Sequence, residues 1–178
     1  MNRGPGSAGV QSRLTLVDAT LPLLGAAVSD SAALGEMLGV AVAAGWEGFP
    51  EALPILRAAY ERDPEAHRWG AIFFIDSTVG ALVGFGGFKG PPSPDSAVEL
   101  GYAIAPAHRG RGLATDAVDQ MVRRAFVDPL VLAVQAHTLG EISASTRVLE
   151  KSGFEKIAEL TDPDEGPVWQ WRRQRARE

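Results

Sequence analysis

The sequence predicts an α+β fold, in which a mixed, mostly antiparallel central sheet of about seven strands is flanked by helices. Three observations lead to this class. Residues 21–62 carry apolar side chains at helical spacing, residues 69–105 are rich in β-branched, aromatic and small apolar residues, and the rest alternates between the two patterns. With 178 residues, of which 46% are hydrophobic, the chain is long enough for one domain with a sizeable core.

The N-terminal elements are a strand and three helices. We expect the strand at residues 13–17 and helices that begin near residues 21, 31 and 51, the last ending at residue 62. Asp18 or Thr20 can cap the first helix, and Asp30 or Ser31 the second, because their side-chain oxygens accept hydrogen bonds from free N–H groups. Residues 45–50 separate the second helix from the third, since their glycines and proline disfavour a helix.

The remaining elements alternate between strands and helices. We expect strands at residues 69–75, 81–88, 97–105, 130–134, 154–160 and 168–172, and helices at residues 113–126 and 142–152. A turn at Asp76 and Ser77 makes the first two strands a hairpin, and Pro106 ends the third. The last strand is expected at an edge of the sheet, where it can pair with a second copy of the chain.

Composition and charge exclude several classes of protein. A net charge of −5 argues against a general affinity for nucleic acid, and the longest apolar stretch, residues 37–46, is too short to cross a bilayer. Without cysteine the chain has no disulfide, thiolate metal site or cysteine nucleophile, and its three histidines lack the spacing of metal ligands. We therefore expect a cytoplasmic protein that binds no nucleic acid, membrane or metal, with a flexible leader at residues 1–12.

The segment Arg109–Ala114 joins the strand at residues 97–105 to the helix that follows. N–H groups in the first turn of a helix have no partners within the helix, and the helix dipole favours negative charge there. Gly110 and Gly112 allow the backbone to turn tightly and to approach a ligand, while the two arginines add positive charge. This pattern predicts a site for a phosphate or pyrophosphate group.

A dinucleotide-binding loop and a solvated helix N-terminus both fit this segment less well. A dinucleotide-binding loop would follow its strand directly, but residues 106–109 intervene, and the strand expected at residues 130–134 ends without the acidic residue that holds a ribose. A helix N-terminus that only contacts solvent requires neither glycine. A nucleotide-dependent oxidoreductase is therefore the least favoured function.

Two segments resemble motifs of the GNAT acetyltransferases. Residues 98–104 and 106–115 are similar to the acetyl-CoA motif of that family. The signature positions of this motif are occupied by Arg109, Gly112 and Ala114. Further along, Ser145–Phe154 resembles the second coenzyme A motif of the branch that includes the ribosomal-protein N-terminal acetyltransferases. The two motifs lie at the family's usual separation, and the resemblance covers roughly residues 71–159.

This resemblance implies an N-acetyltransferase with acetyl-CoA as its co-substrate. It implies one acyltransferase domain over residues 13–174, in which residues 13–67 form the acceptor side and residues 68–174 bind acetyl-CoA. The acetyl group would pass directly to a primary amine, either a protein or peptide N-terminus or a small molecule, without a metal ion. The alternative is an acyl-CoA-binding domain of the same fold that has lost catalysis. Because relatives are often dimers, the resemblance also allows for a homodimer.

The resemblance further implies where the coenzyme lies. Its pantetheine arm would run beside the strand at residues 97–105, and its pyrophosphate would lie on the glycine-rich loop. The implied cofactor-binding residues are Tyr102, Ala103, Ile104, Ala105, Arg109, Gly110, Arg111, Gly112, Leu113, Ala114, Thr115 and Ser145. The thioester would lie where two parallel strands splay apart, near Glu99 and Leu100 on one strand and residues 134–136 on the other.

Four residues are assigned to the reaction or to the acceptor. Glu99 would act as general base, directly or through a water molecule, because it stands at the implied splay and matches a glutamate of this branch. Ser145 would protonate the leaving thiolate or cap its helix. Trp46 and Glu47 would form an acceptor wall, since aromatic rings beside a carboxylate suit an amine. Phe49 is expected in the core instead.

Two positions depart from the branch that the second motif resembles. Ile142 stands where the branch usually carries an asparagine, and Leu149 stands where many relatives carry a tyrosine that serves as general acid. The general acid is therefore unidentified. His137 is expected to end a strand without taking part in catalysis.

Overall fold

The computed structural model describes residues 12–176 as eight strands in one sheet with helices on both faces. The strands are β1 (Leu14–Asp18), β2 (Ala41–Val42), β3 (Ala71–Asp76), β4 (Ala81–Phe88), β5 (Ala97–Ile104), β6 (Ala133–Leu139), β7 (Glu155–Asp162) and β8 (Gly166–Gln174). The helices are α1 (Leu21–Ser29), α2 (Ser31–Leu38), α3 (Ala52–Arg62), α4 (Leu113–Ala125) and α5 (Ala144–Lys151), with 3-10 turns at Pro64–Trp69 and Pro106–His108. None of the helices between residues 12 and 176 combines the length and the apolar content that a membrane span requires.

The sheet has the order β1-β3-β4-β5-β6-β8-β7, and the short strand β2 pairs with β4. Neighbours along this order are antiparallel except for β5 and β6, which are parallel. This arrangement confirms the predicted α+β class with a mixed, mostly antiparallel sheet. Pairing between β5 and β6 ends at Glu99 and Gln135, although β5 continues to Ile104 and β6 to Leu139. The two strands therefore splay apart beyond this point, as predicted.

The first two helices begin where their capping residues predict. Oγ1 of Thr20 accepts a hydrogen bond from the N–H of Leu23 at 3.4 Å, which caps α1. Oδ1 of Asp30 accepts hydrogen bonds from Ala32 at 2.9 Å and Ala33 at 3.2 Å, which caps α2. Such caps depend only on residues close in sequence, and this explains why they could be predicted.

The start of the described chain is tied to α4. The Ser12 hydroxyl donates a hydrogen bond to the Asp116 carboxylate at 2.9 Å, and the N–H groups of Arg13 and Leu14 donate to the same carboxylate at 3.0 and 3.1 Å. These bonds hold β1 beside the first turn of α4. The rest of the predicted leader, residues 1–11, lies outside the described residues.

Strand β6 lies further along the chain than predicted. The apolar run at residues 130–134 predicts a strand, but only its last two residues belong to β6. Leu130 and Leu132 are exposed and lead into the strand. Gln135 and His137 continue it, because alternate side chains of β6 point to a face of the sheet that stays partly open to solvent. A strand with one open face alternates polar and apolar residues and does not need a continuous apolar run.

Strand β8 is internal to the sheet. It pairs with β6 on one side and with β7 on the other, so the prediction of an edge strand at residues 168–172 is wrong. The strand at this edge is β7, and most of its side chains are exposed. Along the chain β7 precedes β8, but in the sheet β8 lies between β7 and β6. The sequence pattern does not reveal this order.

Apolar side chains form one core on each face of the sheet. The core on the α4 and α5 face includes Phe74, Met121 and Leu149, and the core on the face of α1, α2 and α3 includes Leu24 and Phe73. All residues of β3 and β4 are buried. Helices on both faces therefore explain the continuous apolar sequences of these two strands.

Trp46 and Phe49 occupy positions opposite to those expected. Trp46 is 1% exposed and packs edge-on against Phe73 and Phe85, with ring centroids 5.5 and 6.2 Å apart. Phe49 is 52% exposed, so its expected place in the core is wrong. Trp46 has too little exposed surface to form an acceptor wall. Its side chain instead anchors the loop at residues 45–50 to the sheet.

Replacing Trp46 with alanine should destabilise the protein strongly. Its ring is buried between two phenylalanines, so the truncation leaves a cavity and should lower the free energy of unfolding by about 3–5 kcal/mol. Phe49→Ala is the matched control, because removal of an exposed ring should change the free energy of unfolding by less than about 1 kcal/mol. Chemical denaturation followed by circular dichroism measures both. Equal losses in the two variants would contradict this account of the core.

Candidate active site

The splay leaves main-chain groups of β5 without a neighbouring strand. Successive residues of a strand direct their N–H and C=O groups to opposite edges. The C=O of Glu99 accepts a hydrogen bond from the N–H of Lys89 at 2.9 Å, and the N–H of Ala105 donates to the C=O of Val83 at 2.8 Å. The odd-numbered residues of β5 therefore face β4. The main-chain groups of Tyr102 face the gap.

The resemblance assigns four consecutive residues at the end of this strand to the coenzyme, and the alternation divides them into two pairs. Tyr102 and Ile104 direct their main-chain groups to the gap, whereas Ala103 and Ala105 direct theirs to β4, and Ala105 is fully buried. The C=O of Ile104 also accepts a hydrogen bond from Nε of Arg109 at 2.9 Å. A ligand that pairs with β5 in the gap thus meets the main chain of Tyr102, and not that of the two alanines.

The glycine-rich loop follows the open end of β5 and leads into α4. Gly110 and Gly112 have φ angles of 72° and 79°, in the left-handed region that residues with a Cβ rarely adopt. No side chain among the described residues caps α4. The N–H groups of its first turn, Leu113–Thr115, are therefore free to bind an anion, and the helix dipole strengthens such binding.

Three guanidinium groups belong to this loop or are bonded to it. Arg109 folds back onto Ile104, and the side chain of Arg111 is exposed. Nη1 of Arg13 donates a hydrogen bond to the C=O of Arg111 at 3.2 Å, and its Nη2 lies 3.6 Å from the Asp76 carboxylate. The predicted local positive charge is thus present. Arg13 joins it from a segment that is distant in sequence, which sequence reasoning missed.

Glu99 lies half-buried at the splay between a lysine and a histidine. Its Oε1 accepts a hydrogen bond from Nζ of Lys89 at 2.5 Å and lies 3.0 Å from Nδ1 of His137. Burial alone would raise the pKa of Glu99, but the hydrogen bonds from Lys89 and His137 outweigh it and hold that pKa below its usual range. Glu99 is therefore ionised at neutral pH.

Lys89 and His137 are site residues that sequence reasoning missed. Lys89 directly follows β4, and His137 lies in β6 two residues beyond Gln135, the register partner of Glu99. Register partners share a face, and side chains alternate along a strand, so Glu99, Gln135 and His137 lie on one face. His137 does not end β6, which continues to Leu139. The sequence signal for His137 is that it follows Gln135 by two positions, the spacing of side chains on one face of a strand. The apolar run at residues 130–134 hid this signal, because the strand was predicted to end there.

Ser145 lies in the first turn of α5 and borders the gap. The Ser143 hydroxyl accepts a hydrogen bond from the N–H of Thr146 at 3.4 Å in a capping box, so the expected cap role belongs to Ser143. The C=O of Ser145 accepts a hydrogen bond from the Tyr102 hydroxyl at 3.2 Å. This contact joins α5 to β5 and leaves the exposed Ser145 hydroxyl beside the open part of the strand.

The two departures from the second motif have different environments. Leu149 is fully buried in the core on the α4 and α5 face, and Ile142 is 76% exposed. Neither supplies a polar group at the splay. Tyr102 is the phenol bonded across to α5, and it stays protonated at neutral pH because burial raises its pKa well above the usual value.

The loop at residues 45–50 crosses β5 at Ala103. A Cβ on Gly48 would lie 2.1 Å from the Cβ of Ala103, so this crossing requires glycine. Ala103 and Glu99 share a face of β5, and four residues span about 13 Å along a strand. The half-buried Glu47 and the exposed Phe49 flank the glycine. A carboxylate and an aromatic ring thus stand on the same side of β5 as Glu99.

Comparisons with known sequences agree with this geometry. A family model described as an acetyltransferase (GNAT) domain matches residues 29–155, which is more than half of the chain. The uncharacterized N-acetyltransferase YjdG of Bacillus subtilis (strain 168) is 26% identical over 145 residues, covering 80% of this chain and 86% of the relative. The probable N-acetyltransferase YjcK of the same organism is 39% identical over 57 residues, covering 32% of each chain.

Solved structures share the fold. A dodecameric structure of spermidine N-acetyltransferase from Vibrio cholerae superimposes with a TM-score of 0.65 and 17% identity, covering 92% of this chain and 94% of the other. The aminoglycoside acetyltransferase AAC(6')-Ib in complex with coenzyme A gives a TM-score of 0.64 and 20% identity, covering 91% of this chain and 95% of the other. At these identities the likeness establishes the fold alone. The match of the family model over residues 29–155, on a sheet with the predicted splay, shows that the chain belongs to the GNAT acetyltransferase family.

Proposed function

We propose that this protein transfers the acetyl group of acetyl-CoA directly to a primary amine. The observation that carries the proposal is the gap between β5 and β6, which opens at Glu99 and leads to the uncapped N-terminus of α4. Free main-chain groups followed by an anion site suit the pantetheine arm and the pyrophosphate of coenzyme A. Membership of the GNAT acetyltransferases supports the same reaction.

The coenzyme contacts divide between the loop and the gap. The residues that we assign to the pyrophosphate are Arg109, Gly110, Arg111, Gly112, Leu113, Ala114 and Thr115. We assign the pantetheine arm to the main chain of Tyr102 and Ile104 and to the hydroxyl of Ser145. The side chain of Ala103 lies on the face of β5 opposite to that of Tyr102, and there it supports the loop that carries Glu47.

The residues at the splay suit a direct transfer. Acetyl-CoA, when bound, supplies a thioester whose carbonyl carbon an amine can attack. The N–H of Tyr102 points into the gap and can donate a hydrogen bond to the carbonyl oxygen. Glu99 and its neighbours take up the proton that the amine loses, and the Ser145 hydroxyl donates a hydrogen bond to the leaving sulfur. No cysteine is present for a covalent enzyme intermediate.

The acceptor is assigned to the face of β5 that carries Glu99. Glu47 belongs to the loop that crosses β5 at Ala103, on the face that carries the Glu99 carboxylate. Two carboxylates and the exposed ring of Phe49 favour a cationic amine. The spermidine and aminoglycoside enzymes that share the fold act on molecules with several amino groups, which supports this class of acceptor.

The class of acceptor and the presence of catalysis both remain predictions. The resemblance of Ser145–Phe154 to the ribosomal-protein N-terminal acetyltransferases keeps a protein or peptide N-terminus among the acceptors, beside small-molecule amines. An acyl-CoA-binding domain without catalysis is the second candidate function. Many relatives carry a tyrosine that serves as general acid at the position of Leu149, and this leucine is buried.

The purified protein should release coenzyme A when acetyl-CoA is mixed with a suitable amine. A panel of polyamines, aminoglycosides and peptides with free N-termini tests the three acceptor classes, and a thiol reagent measures the product. Peptides of the same sequence with a blocked N-terminus serve as controls. Tight binding of acetyl-CoA without thiol release from any amine would favour the binding domain.

Gly112→Ala should weaken acetyl-CoA binding by about tenfold or more, because alanine in the left-handed region costs roughly 1–2 kcal/mol and its Cβ points into open space at the loop. Gly166→Ala is the matched control, since Gly166 has a φ of 78° in the β7–β8 turn and is also unobstructed. Calorimetry with acetyl-CoA measures both variants, and NADH should not bind. Equal weakening in the two variants would contradict a role of this loop in binding.

Glu47→Gln should raise the KM of a cationic amine several-fold without changing acetyl-CoA affinity, because it removes a negative charge from the acceptor side only. Glu51→Gln, at the exposed start of α3, is the control and should leave both quantities unchanged. Steady-state kinetics with the best amine of the panel provides the comparison. An unchanged KM in Glu47→Gln would remove Glu47 from the acceptor site.

A further inference from the structure

Three side chains from neighbouring segments meet at the splay: Lys89 just after β4, Glu99 in β5 and His137 in β6. Oε1 of Glu99 accepts the hydrogen bond of the lysine at 2.5 Å and lies 3.0 Å from Nδ1 of the histidine. The His137 side chain is 27% exposed and that of Glu99 is 29% exposed. The cluster therefore borders the gap and stays accessible to a small molecule.

The ionisation of Glu99 determines which nitrogen of His137 carries the proton. Burial alone would raise the pKa of Glu99, but the hydrogen bonds from Lys89 and His137 hold it below its usual range. An ionised carboxylate only accepts hydrogen bonds, so Nδ1 of His137 must be the donor. In the neutral ring, Nε2 then holds the free lone pair. Within residues 12–176 this nitrogen has no hydrogen-bond partner.

We propose that Nε2 of His137 accepts the proton that the amine loses, and that Glu99 is a positioning residue that orients the ring. Lys89 holds the carboxylate in place through its short hydrogen bond. The assignment rests on the proposed acetyl transfer and names the proton acceptor of that same site. Glu99 then contributes to proton uptake through its histidine neighbour and not as the base itself.

The chemistry of the two groups favours the histidine. A carboxylate with a lowered pKa is a weak base at neutral pH, whereas the free lone pair of a neutral imidazole is the most common general base in enzymes. Oε1 of Glu99 is already occupied by hydrogen bonds from Lys89 and His137. A carboxylate bonded to Nδ1 also stabilises the imidazolium that forms when Nε2 takes the proton.

The charged groups that face His137 come from three elements. Glu99 faces the ring from β5, with Lys89 behind it, and the charge of Asp162 at the end of β7 lies close enough to interact with the ring. The register partner in β8 is the neutral Gln170. The ring is thus surrounded by two carboxylates, one ammonium group and one neutral amide.

The bonds and protons of the step balance without another reactant. The acceptor ammonium first gives one proton to water, and the lone pair of the resulting neutral amine forms a bond to the acetyl carbonyl carbon while the bond between that carbon and sulfur breaks. The electron pair leaves on sulfur as a thiolate, which takes up a proton from water. One proton of the amine nitrogen moves to Nε2 of His137 and then to water. Gly101 follows Glu99 on this face of β5 and adds no side chain that would block the amine.

His137→Asn tests the assignment, because it removes the base but keeps an amide N–H that can donate to Glu99. We expect kcat/KM to fall by about 10²–10⁴-fold and the acidic limb of its pH profile to disappear, with unchanged acetyl-CoA affinity in calorimetry. His67→Asn, at an exposed histidine in the 3-10 turn, is the matched control and should keep the profile of the unmodified protein.

Glu99→Gln distinguishes between Glu99 and His137 as the proton acceptor. If His137 is the base, this variant keeps an acidic limb, which moves to lower pH because the imidazolium has lost its charged partner. If Glu99 is itself the base, Glu99→Gln loses the limb and His137→Asn retains it. That second result would overturn the assignment.

Nitrogen-15 NMR of the histidine rings tests the geometry without relying on activity. The His137 signals, identified by their absence in His137→Asn, should show a neutral ring protonated at Nδ1, with a protonation midpoint that coincides with the acidic limb. A neutral ring protonated at Nε2 would overturn the assignment. A protein that binds acetyl-CoA but acetylates no amine would overturn the proposed function. An active protein whose profile is insensitive to His137→Asn would overturn only the role of His137.

Discussion

The end of pairing between β5 and β6 is the constraint on which the rest of the site depends. The strands pair as far as Glu99 and Gln135, and beyond that point both continue without each other. Their divergence frees the main-chain groups of Tyr102 and opens a path to the N-terminus of α4. Leu113 of α4 and Leu149 of α5 belong to the core on this face of the sheet, so both helices that border the gap are fixed by core packing.

Opposite charges lie at the two ends of this path. The chain carries a net charge of −5, yet arginines gather at the glycine-rich loop, where the helix N-terminus also favours an anion. Carboxylates stand on the acceptor side, at Glu47 and Glu99. An anionic co-substrate and a cationic acceptor would thus each meet a complementary potential, although the protein as a whole is acidic.

Features that depend on neighbouring residues were predicted well from the sequence. Thr20 and Asp30 cap their helices as expected, and Gly110 and Gly112 adopt the left-handed backbone that a tight anion-binding loop needs. Features that depend on packing were predicted less well. The continuous apolar run before β6 hid the polar alternation that contains His137, because the sequence does not show which face of a strand stays open.

The sequence by itself determined the order of most elements and the glycine-rich loop, since local hydrogen bonding and side-chain periodicity specify these. The position of Glu99 at the splay was implied by the resemblance to the GNAT acetyltransferases. Only the tertiary structure decided that β8 is internal, that Trp46 is buried while Phe49 is exposed, and that Lys89 and His137 reach the same oxygen of Glu99. Contacts of this kind join segments ten to forty residues apart, as in the pairs Lys89–Glu99 and Glu99–His137. They depend on how strands are ordered and packed, which residue type and spacing alone do not specify.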